Sequence, residues 1–138
     1  LFPYTTLFRS RVKKELGTKS LGSHWVLMTK DVIPESRNKS YDDQKALVQK
    51  HAKESGIPYE LPKTLEAATV ILMHHVETGQ RIYSDNPLTY TRCQEKVNNN
   101  QWPAAIGGFA PAGLDVAGFF YDVGFSGGVD VGLVRTFC

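Results

Sequence analysis

The sequence predicts an α+β domain: two helices followed by a twisted antiparallel sheet, with the first and last strands paired. Three observations carry this expectation. Helical periodicity bounded by stop signals is confined to the middle of the chain, residues 41–78. Eight of the twelve glycines fall in the last 37 residues, WPAAIGGFAPAGLDVAGFFYDVGFSGGVDVGLVRTFC, among short apolar runs; that density suits strands with tight turns and close backbone approaches. A third signal precedes the helices, where HWVLMTKDVI is rich in β-branched and aromatic residues and apolar at its centre.

Taken in order, residues 24–33 read as a buried strand ended by Pro34, and PESRNK as a polar loop in which Arg37, Asn38 and Lys39 tie the chain down. Ser40 stands three residues before Asp43, a capping arrangement in which the hydroxyl satisfies a free amide and the carboxylate favours the positive helix end. The helix YDDQKALVQKHAKES should turn Ala46 or Leu47, His51 and Ala52 inward and Lys45, Lys50 and Lys53 outward, stopping at Gly56 and Pro58. In the second helix, about 63–78, Leu65, Ala68, Thr69, Leu72 and Val76 recur at spacings of three and four, while Val70, Ile71 and Met73 make the other side apolar too. A helix apolar nearly all round is expected at the centre of the core, and Gly79 closes it. Strand-like pieces flank the Asp85-Asn86-Pro87 turn, QEKVNNNQ is a polar loop, and GFAPAGLDV, FYDVGF and VDVGLV are three short strands of one sheet. Trp25, Leu65, Leu72, Ile106 and Val134 are the expected core, so Leu72→Ala is expected to cost about 2–5 kcal/mol.

Residues 1–10, LFPYTTLFRS, stand apart: three are Phe or Tyr, one is charged, and nothing downstream continues the pattern. They resemble a translated sequencing adapter, since CTCTTTCCCTACACGACGCTCTTCCGATCT reads in one frame as this stretch without a mismatch. The resemblance implies an artefact that contributes nothing to the fold, and a natural chain that extends upstream. Residues 11–22 then read as a polar lead-in or linker, and 23–138 as a single domain of ordinary size, the carboxy-terminal part of a longer protein.

With 16 Lys and Arg against 14 Asp and Glu, the formal charge of +2 supplies no strong field. The basic residues are scattered and no aromatic residues interleave with them as a stacking platform requires, which argues against nucleic acid as a partner. No run reaches the roughly eighteen apolar residues of a membrane span. Two cysteines, Cys93 and Cys138, fall short of a secreted disulfide scaffold; two free thiols in a reducing compartment is the default, a Cys93–Cys138 bridge the alternative, and export stays open.

Few residues mark chemistry. His74 and His75 are adjacent, so on a helix they point about 100° apart and do not chelate one ion as a His-x-x-x-His pair does; at a helix carboxy end they are expected to cap carbonyls. Cys93 with His74 or His75 as base and Asp85 or Glu95 as orienter is the one nucleophilic arrangement available, without a local signature. No metal set at zinc spacing and no cofactor motif is present. Asp115, Asp122 and Asp130 alternate with glycines and aromatics near strand turns, and with Trp102 and Tyr121 they are the candidate ligand-binding residues.

The order of elements, with Gly107-Gly108-Phe109 and Gly132-Leu133-Val134-Arg135, resembles the C-type-lectin-like fold, especially its bacterial branch related to formylglycine-generating proteins. The resemblance covers most of residues 23–138 and implies paired terminal strands with long loops on one side. GSHWVLMTKDVIPESRNKSYDDQ, YTRCQEKV and IGGFAPAGL also resemble a carboxy-terminal module of large proteins from chlamydia-like, amoeba-dwelling bacteria, which implies no activity. Departures matter as much. Calcium-dependent sugar binding in this fold requires an oxygen-rich set, and Gln101-Trp102-Pro103 and Asp85-Asn86-Pro87 do not complete one; the paired late cysteines of the formylglycine enzymes are missing as well. The expectation is a recognition module that binds a protein or glycan through loops of the glycine-rich sheet. The alternative is a cysteine- or metal-dependent enzyme using Cys93 with His74 or His75 and Asp85.

Overall fold

A computed structural model of the chain describes residues 22–37, 39–97, 102–118, 129–130 and 134–137; at 102, 117–118, 129–130 and 134–137 it describes the backbone alone. The order is β1 (Trp25–Met28), α1 (Tyr41–Ser55), α2 (Thr64–Thr78), β2 (Tyr90–Val97), β3 (Trp102–Ala110), β4 (Gly113–Gly118), β5 (Val129–Asp130) and β6 (Val134–Phe137). The architecture is α+β. Strands β4, β3 and β2 form an antiparallel sheet, and β5 joins β2 in parallel. The terminal strands β1 and β6 form a separate antiparallel ribbon, Trp25 opposite Phe137 and Met28 opposite Val134.

Local chemistry places the helices. Ser40 Oγ accepts from the Asp43 amide, 3.1 Å away, and Gly56 takes the left-handed conformation at φ 70° that ends α1. α2 begins where Glu66 Oε1 accepts from the Lys63 amide at 3.0 Å and ends at Gly79, φ 75°. Its last carbonyls are served by Thr78 Oγ1, bonded to the His74 oxygen at 2.7 Å, and by the Gly79 amide, bonded to the His75 oxygen at 2.8 Å. The histidine rings are therefore not the caps that the sequence predicts.

The core differs from expectation in three ways. α2 lies on the sheet through Ala67 and Ile71, which pack with Tyr83, Cys93, Ala104, Ile106 and Phe109. Leu65 and Leu72, expected inside, are each 44 % exposed, and Val76 is 84 % exposed. The inward face of α2 is the one that alternates with the predicted one, because the sheet meets the small Ala67 and lets the backbones approach closely. Trp25 is also outside, 79 % exposed: β1 alternates, with Val26 and Met28 half-buried while Trp25 and Leu27 face out, so it is not the buried strand of the sequence reading. It is also shorter than residues 24–33. α1 turns Tyr41, Gln44 and Val48 inward against Ile33 and Leu61, with Leu47 packed half-buried against them; His51 and Ala52 are half-buried and Ala46 is exposed. A buried Gln44 is tolerated because its Nε2 donates to the Ser36 carbonyl at 2.7 Å. Of the other expected core residues, Ile106 is fully buried and Val134 is placed by its backbone only.

β2 runs through QEKV, where the sequence predicts the start of a polar loop. Its register against β3 shifts between Arg92 and Lys96, and the irregularity turns Gln94 and Glu95 toward the helices. The Gln94 amide donates to the Pro62 carbonyl at 2.9 Å, and Glu95 Oε1 accepts from both the amide and the hydroxyl of Thr64, at 2.8 and 2.9 Å. Polar residues thus belong to the strand because they fasten the start of α2.

Candidate functional site

Cys93 sits on β2, fully buried, with a free thiol whose Sγ is 3.8 Å from the Thr91 carbonyl. Burial pushes its pKa up, the reverse of what a nucleophile needs. The histidines are occupied elsewhere: the His75 ring stands edge-on to Phe109, centroids 5.1 Å apart, and His74 Nε2 lies 3.5 Å from Gln80 Oε1. Asp85 lies in the exposed turn that contains the cis Asn86–Pro87 bond. Among the described residues no hydrogen bond joins Cys93 to His74, His75 or Asp85. Among the described residues no group of three or more His, Cys, Asp or Glu is placed to hold a metal ion, and no helix is long and apolar enough to cross a membrane. In a Cys138→Ser chain, a thiol reagent is expected to modify Cys93 only as fast as the protein opens, with the rate rising as denaturant is added. Rapid stoichiometric labelling of the native protein would restore the nucleophile.

Of the candidate ligand residues, Asp115 alone has a described side chain: it is on β4, where its Oδ2 accepts from the Tyr90 hydroxyl at 2.5 Å. That ring lies over Gly108, so the aspartate has a structural partner, not an open turn. Trp102 opens β3 and Asp130 ends β5, while Tyr121 and Asp122 lie outside the described residues.

One acid–base pair is built where no motif marks it. Glu66 is 4 % exposed and accepts from His24 Nε2 through Oε2 at 2.7 Å, while His24 Nδ1 lies 2.6 Å from the Gly22 carbonyl. A carbonyl and a carboxylate both accept hydrogen bonds, so this arrangement favours the doubly protonated ring. The Gly22 carbonyl first, and the Glu66 carboxylate second, raise the His24 pKa above 6.5. A raised folded-state value stabilises the fold fully below the unfolded pKa and is lost as pH rises through the folded one. His24→Gln should therefore lower the melting temperature at about pH 5.5 and do so progressively less on the alkaline side of the raised pKa; an NMR titration placing that ring at or below 6.5 would refute it.

Among the described residues two further surfaces stand out. The first is a groove of about 420 Å³ lined by Tyr41, Lys45, Gln49, Tyr59, Glu60 and Gln94 over a floor of Val48 and Leu61. Its walls are pinned: Tyr41 Oη donates to the Gln94 carbonyl at 3.2 Å, Gln94 Nε2 to the Leu61 carbonyl at 2.6 Å, and Lys96 Nζ sits 4.4 Å from the Tyr41 ring centroid. Sequence alone carries no signal for this groove, because its walls come together from α1, the segment that follows it and Gln94 of β2.

The second is the bare side of α2. Leu65, Thr69, Leu72 and Val76 follow one another by four, three and four residues along one stripe, all exposed, with Met73 beside them at 63 %. Thr69 Oγ1 donates to the Leu65 carbonyl at 2.8 Å, so the hydroxyl is satisfied within the helix. The stripe carries no charge. No protein-family profile matches the chain, and neither does any curated protein or solved structure.

Proposed function

We propose that this chain is a recognition module rather than an enzyme, and that its partner is a protein presenting an amphipathic helix. The observation that carries the reading is the uncharged stripe Leu65–Thr69–Leu72–Val76, with Met73, left in solvent on a helix whose other side is already packed. Soluble domains seldom leave such a contiguous apolar surface without use, and a row at spacings of three and four residues is the pattern that receives a helix. The C-type-lectin-like assignment belongs to the same proposal. It is supported by the order strand, helix, helix, strands, and by the antiparallel pairing of β1 with β6.

Selection of displayed peptides on the purified protein tests it. Enriched peptides should share apolar residues at helical spacing, shift amide resonances of α2, and lose binding to the Leu72→Glu protein. Peptides that map elsewhere and bind Leu72→Glu unchanged would sink the reading.

A second reading is favoured by the groove, whose volume falls within the about 300–1,000 Å³ of small-ligand sites and whose two tyrosines, two amides and one charge of each sign suit a glycan unit. Glycan binding abolished by Tyr59→Ala and kept in Leu72→Glu would establish it in place of the first.

A further inference from the structure

We infer that His24 is a proton-operated latch: while its ring carries both protons it fastens the chain entering β1 to the start of α2, and when it loses one the contact with Gly22 opens while the ring stays on the helix. The latch is a matter of counting donors. His24 Nδ1 lies 2.6 Å from the Gly22 carbonyl and Nε2 lies 2.7 Å from Glu66 Oε2, and only the imidazolium supplies an N–H to each. A neutral ring has one N–H for the two acceptors, so at one end a nitrogen lone pair must face an oxygen lone pair at hydrogen-bonding distance.

Burial decides which end yields. The Glu66 side chain is 1 % exposed, so an oxygen stripped of its donor could not turn to water, and a buried charge without a partner is the costlier loss. Gly22 is exposed, and a Cβ added to it would meet nothing within 4 Å. That end has solvent to bond and room to swing. The neutral ring therefore keeps its proton on Nε2, toward Glu66, and the Nδ1 side opens.

The surroundings confine the movement. Glu66 is itself fixed, because Oε1 accepts from the Lys63 amide at 3.0 Å in the first turn of α2. On the other side, β1 pairs with β6 from Trp25 to Met28, and Met28 packs against the core cluster. Opening is thus limited to residues 22–24. Among the described residues the charged groups that face His24 are Glu66, which favours its proton, and Lys63, which opposes it, both at the start of α2. From β2, Glu95 and Cys93 border the same helix end; the first is bonded to Thr64 and the second is kept neutral by burial. The latch is closed on the acid side and opens as pH rises through a value above 6.5.

Nitrogen-15 NMR of the full chain from about pH 5 to 9 is the test, with the ring nitrogen shifts reporting the tautomer and backbone order parameters reporting the turn. The expected result is a doubly protonated His24 at the acid end and the Nε2–H tautomer at the alkaline end. Across the same step the order parameters of Ser23 and His24 should fall from about 0.85 to below about 0.6, while those of β1 and α2 hold. Glu66→Gln, which keeps an acceptor and removes the charge, should move the step to lower pH, and His24→Gln should abolish it with the far-UV spectrum unchanged. Because Glu66 is buried, its variant can fail to fold, and the wild-type titration then decides alone. A neutral ring in the Nδ1–H form, order parameters that ignore the titration, or a loss of order that spreads through β1 overturns the latch.

Discussion

Ile71→Ala is expected to destabilise the protein by about 2–5 kcal/mol, the cost of a cavity in a packed core, while its neighbour Leu72→Ala costs less than about 1 kcal/mol, as surface changes do. Ile71 is fully buried where α2 meets the sheet, in contact with the cluster of Tyr83, Cys93, Ala104, Ile106 and Phe109. Leu72 is 44 % exposed and turned 100° away. Urea denaturation of the two variants measures the difference directly. Equal costs would mean that α2 is buried all round, as its composition suggests, and would remove the bare stripe on which the docking proposal stands.

Gly107→Ala is expected to cost more than about 3 kcal/mol, beyond the usual range for overpacking because the obstruction is backbone and not a movable side chain. Gly107 pairs with Tyr90 across β2 and β3, and a Cβ added there would lie 2.2 Å from the Thr89 carbonyl oxygen and 2.7 Å from the Tyr90 Cα. The adjacent Gly108 amide donates to the same Thr89 oxygen at 2.8 Å, so the strands cannot part without losing that bond as well. Gly56→Ala is the matched control. It sits at φ 70° with nothing within 4 Å, and only the left-handed strain of about 1 kcal/mol applies. Near-equal losses for the two glycines would show that β2 and β3 are not packed as closely as described.

Both predictions turn on features that the sequence carries unequally. The helices were legible because their signals are local: Ser40 with Asp43, Gly56 and Gly79 act within one turn, and α1 and α2 occupy Tyr41–Ser55 and Thr64–Thr78, within a residue of where those signals put them. The glycine-rich half likewise announced strands and a close approach, which Gly107 makes against Thr89. Chain order and helix content therefore came from short-range chemistry. The choice of buried face did not. On α2, apolar residues surround the axis, so periodicity weighs Leu65, Leu72 and Val76 as heavily as Ala67 and Ile71; only the position of the sheet decides, and it takes the face with the small Ala67. The same holds for the polar groups. Gln94 and Glu95 read as loop residues until the irregularity in β2 turns them toward Pro62 and Thr64, and Asp115 reads as a turn ligand until β4 brings it to the Tyr90 hydroxyl. His24 and Glu66 are 42 residues apart, and no spacing rule joins them. Caps and stops are settled by neighbours along the chain, whereas faces, partners and sites are settled by neighbours in space, which in this protein come from elements far apart in sequence, as when Trp25 pairs with Phe137.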